Sequence, residues 1–147
     1  MPNDEITTNT LLNRLSRTSS LNRFIKRYDG EMENTPVFTE YITALCEEKK
    51  ITPESVIKKS DIERTYGHKL FNGSRNPTRD RVIQLAFGFG MNYDEAQRFL
   101  AISQESALYA KIKRDAVIIF ALKNNYNIEA VQSALFDFSL PLLGKVR

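Results

Sequence analysis

Residues 79–86, Arg79-Asp80-Arg81-Val82-Ile83-Gln84-Leu85-Ala86, return about 35 residues later as Arg114-Asp115-Ala116-Val117-Ile118-Ile119-Phe120-Ala121. The register continues: Asn92 falls on Asn127, Asp94 on Glu129, Gln97 on Gln132 and Leu100 on Leu135. Self-similarity at a fixed offset marks a reused supersecondary unit. Each copy has apolar residues at helical spacing on both sides of a short break, which reads as helix, turn, helix. Two copies are too few for a solenoid, so the second is expected as a helical hairpin stacked on the first. Chance similarity between amphipathic helices is the competing explanation.

From Phe38 onward the periodicity is helical throughout. Phe38, Tyr41, Ile42 and Leu45 mark one helix. A second starts at Pro53, with Thr52 as its N-cap and the proline at the first helical position, where its missing N–H costs nothing. Glu63 to Asn72 reads as a third, stopped at Gly73, a residue suited to the left-handed backbone that ends helices. Thr78 caps a fourth, Arg79 to Phe89, with Gly88 and Gly90 marking its end, and a fifth runs from about Asp94 to Ala101. Ahead of these, Leu11, Leu12, Leu15, Leu21, Phe24, Ile25 and Tyr28 keep helical spacing across the polar break Ser16-Arg17-Thr18-Ser19-Ser20, which predicts two short amphipathic helices. Asp29 to Pro36 is acidic, contains Gly30 and reads as a linker. The expected organisation is an N-terminal helical arm and linker over 1–35, a helical domain over 36–103 and a C-terminal helical hairpin over 104–147 packed on it.

Composition narrows the function classes. With 41% hydrophobic and 27% charged residues, the 147-residue chain has the balance of a folded globular protein. Its net charge of +3 permits nucleic-acid binding without demanding it. Cys46 lies in an apolar-periodic stretch with no second cysteine, so it reads as core. No apolar run approaches the roughly 18 residues of a membrane span, and Met1-Pro2-Asn3-Asp4-Glu5 lacks a signal peptide's apolar stretch. The cytoplasm is therefore the expected compartment, with no membrane partner. His68 is the only histidine and has no carboxylate three or four residues away on its own helix. Neither a glycine-rich phosphate loop nor metal-ligand spacing is present, so no enzyme, metal or cofactor is expected.

The functional signal lies in Ile51 to Asn76. Glu54-Ser55-Val56 on one helix, Leu70-Phe71-Asn72-Gly73 closing the next, and the loop Ser74-Arg75-Asn76-Pro77-Thr78 together resemble the helix-turn-helix of lambda-repressor and Xre-type regulators, over about Phe38 to Ser103. The resemblance implies an all-α fold: a lambda-repressor-like helix-turn-helix domain, here extended by the N-terminal helical arm and the extra C-terminal hairpin. It also implies double-stranded DNA as partner. In such proteins the second motif helix enters the major groove with its N-terminal residues at base edges, while the first crosses the backbone. Carried over by position, Arg64, Thr65 and His68 face the bases, and Lys69 and Asn72 lie nearer the phosphates. Lys58, Lys59, Arg75, Arg79 and Arg81 would neutralise phosphates without reading sequence.

Several positions depart from the family pattern. Pro53 stands where the family has a DNA-touching Gln, so one donor is lost. Asp61 replaces the glycine of the turn, and Asp tolerates left-handed backbone better than most residues. Ile57 and Gly67 stand where the family packs a small Ala against a β-branched residue. That double exchange keeps the core volume if Ile57 fills the space above Gly67. A glycine inside the second helix costs about 1 kcal/mol against Ala, and Glu63 at its start suits the helix dipole while repelling a phosphate. Two functions stay open. One is a DNA-binding transcriptional regulator, dimerising through hairpin or arm. The other is a protein-interaction adaptor that keeps the fold as scaffold, with the apolar tail Leu140-Pro141-Leu142-Leu143 needing a surface to cover.

Overall fold

The computed structural model describes residues 7–32 and 37–144, and the chain divides into two compact units, Met1–Pro36 and Val37–Arg147. Among the described residues every regular element is helical, and no helix is long and apolar enough to cross a membrane. The first unit holds α1 (Thr8–Arg17), α2 (Leu21–Tyr28) and a 3-10 turn (Asp29–Glu31). Its helices start on hydroxyl caps. Thr7 accepts the Thr10 N–H and Ser20 accepts the Arg23 N–H, each satisfying a donor that the first helical turn leaves unpaired. Phe24 and Tyr28 are the buried residues of α2, with ring centres 4.8 Å apart.

The second unit runs α3 (Phe38–Lys49), α4 (Pro53–Lys59), α5 (Arg64–Asn72), α6 (Arg79–Gly88), α7 (Tyr93–Ile102), α8 (Lys113–Lys123) and α9 (Ile128–Asp137). Four of its junctions use one device: a left-handed residue, an apolar residue, then an N-cap. They are Lys50-Ile51-Thr52, Asp61-Ile62-Glu63, Gly90-Met91-Asn92 and Asn125-Tyr126-Asn127. The apolar residue's N–H bonds back into the preceding helix, Ile51 to the Cys46 carbonyl, Ile62 to Ile57, Met91 to Ala86 and Tyr126 to Ala121. The cap side chain then accepts an N–H of the next helix. Unpaired groups on both sides of each turn are satisfied within a few residues. A continuous core joins Ile42, Val56, Leu70, Leu85, Phe99, Ile118 and Leu135. Cys46 belongs to it, and burial pushes its thiol up, away from the reactive thiolate.

The repeat is written in hydrogen bonds. Arg79 donates to both carboxylate oxygens of Asp115, at 3.1 and 2.9 Å, and to the carbonyls of Ser106 and Ala107. At the same offset, Arg114 donates to both oxygens of Asp80, each at 2.9 Å, and to the carbonyls of Pro141 and Leu142. Asp115 also accepts the Tyr109 N–H, as Asp80 accepts that of Gly144. The Gln97 amide donates to the Leu108 carbonyl and accepts its N–H, and Gln132 does the same with Leu143. Because each copy's arginine pairs with the other copy's aspartate, the copies face one another as across a two-fold axis. Chance similarity between helices would not reproduce bonds to the loops that follow them. The apolar tail is used up in this arrangement: Leu143 is fully buried as the counterpart of Leu108, so it is core and not a patch awaiting a partner.

Candidate nucleic-acid interface

α4 and α5 meet across the turn 60–63, which is held on every side. Asp61 takes the left-handed backbone (φ 55°), the conformation its short polar side chain tolerates. Ser60 is fully buried, its hydroxyl donating to the Val56 carbonyl at 2.7 Å. Against it lies Gly88 of α6, where a Cβ would strike that hydroxyl and come within 2.7 Å of the Val56 carbonyl. Gly88 is thus the last residue of α6 and a close-packing point, more than the end marker its sequence position indicated. The buried Gln84 amide donates to the carbonyls of Ser60 and Asp61. Arg81 donates to Gln84 Oε1 and lies over the Tyr66 ring of α5, 4.9 Å from its centre. A Cβ at Gly144 would meet both Arg81 and Gln84, so the end of the second repeat backs directly onto the brace of the turn.

Ile57 fills the space above Gly67. A Cβ at Gly67 would lie 2.5 Å from Ile57 Cγ2 and 2.8 Å from Cγ1, so the isoleucine occupies the space a larger residue would need. Glu63 is the N-cap of α5. Its carboxylate accepts the N–H groups of Thr65 and Tyr66 at 3.0 and 2.8 Å, and these bonds hold it below the usual carboxylate range.

α5 then divides by face. Gly67 and Leu70 are buried, with Tyr66 and Phe71 packed against the core. The other face carries Arg64, Thr65, His68, Lys69 and Asn72 at i, i+1, i+4, i+5 and i+8, all exposed or partly so. Lys58 and Lys59 at the end of α4, and Arg75 in the loop after α5, are exposed as well. Asn72 also closes its own helix end, accepting the Ser74 N–H on Oδ1.

Two findings revise the site expected from the sequence. Arg79 is not a phosphate contact: its guanidinium makes four hydrogen bonds, to Asp115, Ser106 and Ala107. The buried Asp115 carboxylate needs a counter-charge, and α6 begins where the two copies meet. Arg81 is likewise committed, to Gln84 and Tyr66. The second finding is Glu54, at the start of α4, which the sequence reading placed only as a family resemblance. Its Oε1 accepts from Arg64 Nε and its Oε2 pairs with His68 Nε2, each at 2.6 Å, which holds the Glu54 carboxyl below its usual range. A carboxylate therefore does orient His68, from the neighbouring helix and not from its own. The side chains of Arg64, Glu54 and His68 are 76%, 53% and 42% exposed, so a competing acceptor can replace these bonds at little cost.

A second surface lies on the C-terminal pair. Ala116, Val117, Phe120, Tyr126, Ala134 and Phe138 line an open groove of about 510 Å³. At the repeat offset, Val117, Phe120, Tyr126 and Ala134 fall on Val82, Leu85, Met91 and Phe99, all buried. In that first copy Phe38 and Tyr41 of α3 stack on Phe99, with ring centres 5.9 and 5.7 Å away. The same face is covered in one copy and open in the other: Leu85 is fully buried, Phe120 57% exposed. No family model matches the chain, and no curated protein or solved structure matches it either.

Proposed function

We propose that the protein is a DNA-binding transcriptional regulator of the helix-turn-helix type, related to Xre regulators, with α5 as its reading helix. The observation that carries this reading is the outer stripe of α5, Arg64, Thr65, His68, Lys69 and Asn72, polar throughout and flanked by Lys58, Lys59 and Arg75. Its helix is fixed in register by Ile57 against Gly67, by the Glu63 cap and by the Gln84 and Arg81 brace. In a major groove, Arg64, Thr65 and His68 meet base edges while the lysines and Arg75 meet phosphates. Glu54 holds Arg64 and His68 in place until a guanine edge takes over as the acceptor of Arg64. A gel shift on random-sequence duplex at low salt tests this reading. Retardation at micromolar protein supports it, and none at that concentration sinks it.

The groove on α8 and α9 favours an addition, a second copy of the chain seated groove on groove. Phe120, 57% exposed, and Phe138, 63% exposed, line a hollow together with the small Ala116 and Ala134, so one surface carries both knob and hole, as a two-fold interface requires. Light scattering would find a dimer that Phe120→Glu converts to monomer. Wild-type protein that stays monomeric and also binds no duplex is the result that favours the adaptor function, with a different protein in the groove.

A further inference from the structure

The two helices of the first unit gather its basic side chains, while its acidic residues lie outside them in the sequence. Between Thr7 and Tyr28 the sequence has Arg14, Arg17, Arg23, Lys26 and Arg27 and no Asp or Glu. Arg14, Arg17, Arg23 and Arg27 converge, with Thr18 and Tyr28, on a cleft of about 270 Å³ between α1 and α2. Among the described residues no carboxylate lies within ion-pair distance of any of the four. Two of them are anchored on one ring. Arg14 donates to the Tyr28 phenol oxygen at 3.1 Å, and the guanidinium carbons of Arg14 and Arg27 lie 5.6 and 5.5 Å from the ring centre. A guanidinium held over a ring engages its face and keeps its N–H edge available for acceptors in its plane. Four like charges drawn to one hollow, two of them pre-set, describe a site for an anion.

We propose that this cleft binds a compact phosphate group carrying two or more negative charges, a phosphomonoester or a pyrophosphate, gripped by the forked N–H groups of Arg14, Arg17, Arg23 and Arg27. The guanidinium fork matches a pair of phosphate oxygens, and several forks together match a group with several charged oxygens. The concave shape disfavours a duplex backbone, whose diesters carry one charge each and lie along a convex surface. The site is independent of the reading given to α5, since it lies in the other unit and its ligand is a small anion.

The test is calorimetric titration of the full chain with inorganic pyrophosphate, and separately with inorganic phosphate, at constant ionic strength. One saturable site is expected, tighter for pyrophosphate. Arg17→Gln should weaken it by about tenfold. The Arg17 side chain makes no hydrogen bond or ion pair among the described residues, so this change leaves the helices intact, which circular dichroism checks. Arg14→Lys keeps the charge, loses the fork and should also weaken binding, while Lys111→Gln, an exposed lysine of the second unit, should leave it unchanged. Absence of saturable heat up to millimolar pyrophosphate overturns the proposal, and so does equal weakening by Lys111→Gln. A duplex oligonucleotide that displaces pyrophosphate from wild type and loses affinity in Arg17→Gln would also overturn it, by making the cleft a backbone contact.

Discussion

The two reciprocal ion pairs offer the same bonds at different depths, and this makes a controlled experiment. Each arginine forks onto an aspartate and two loop carbonyls, but the Asp115 side chain is 3% exposed and the Asp80 side chain 28%. Arg79→Met strands the deeper carboxylate with the Tyr109 N–H alone and removes the donors to Ser106 and Ala107. Removing one partner of a buried pair costs about 3 to 5 kcal/mol, because the remaining charge stays buried and uncompensated. Arg114→Met strands Asp80, which keeps the Gly144 N–H and which water can reach, so the loss falls to about 1 to 2 kcal/mol. The expected difference is about 2 kcal/mol, close to a factor of 30 in the unfolding constant. Urea melts followed by circular dichroism, at unchanged m-value, measure it. Replacing both members, Arg79→Met with Asp115→Leu, should recover most of the larger loss. Equal losses for the two arginines, or a larger one for Arg114→Met, would refute the claim that depth sets the worth of each pair.

Ile57→Ala should destabilise by about 2 to 4 kcal/mol through the cavity it leaves, and Gly67→Val alone should overpack against Ile57. The double exchange should recover much of both losses, whereas additive losses in denaturant melts would mean that the residues do not share the space. For Asp80, burial pushes the carboxyl up, but the hydrogen bonds from Arg114 and the Gly144 N–H outweigh it and hold the group below its usual range. A depressed native value contributes stability above the unfolded value of about 3.9, and this is lost as pH falls through the native one. The melting temperature of wild type should therefore drop on acidification below about pH 4, and that of Arg114→Met should drop less over the same window. In duplex binding, Arg64→Ala should cost about 1 to 3 kcal/mol of sequence discrimination, whereas Lys59→Ala should weaken all sequences alike and flatten the salt dependence. Equal effects of the two on competing duplexes would remove Arg64 from base reading.

Much of this was legible in the chain because the determinants are local or repeated. Thr52 and Thr78 announce their helices by cap chemistry, whereas the left-handed turn at Asp61 and the contact of Ile57 with Gly67 are legible only through the resemblance to helix-turn-helix regulators. The offset linking Gln97 to Gln132 is visible in the sequence, but the loop bonds that carry it on to Leu108 and Leu143, and with them the apolar tail into the core, form only in the fold. Likewise the Arg-Asp steps at 79–80 and 114–115 show charge without partners, and only the facing of two copies makes each arginine answer the other's aspartate. Glu54 was the hardest to place. Its partners lie 10 and 14 residues away, a separation no helical period marks, and it reaches them only because α4 packs across the start of α5.

Glu54→Gln gives the most direct measurement of whether the outer face of α5 binds DNA. The change keeps the shape of the side chain, removes a negative charge beside the expected phosphates and loosens Arg64 and His68 from their present acceptor. Fluorescence anisotropy of a labelled random duplex at low salt, titrated with wild type and variant, reads the effect. Wild type should bind at micromolar concentration, the variant should bind several-fold tighter, and both affinities should fall as salt rises. A variant whose affinity matches wild type, or a wild type that leaves the duplex unbound, would contradict the assignment of α5 as the reading helix.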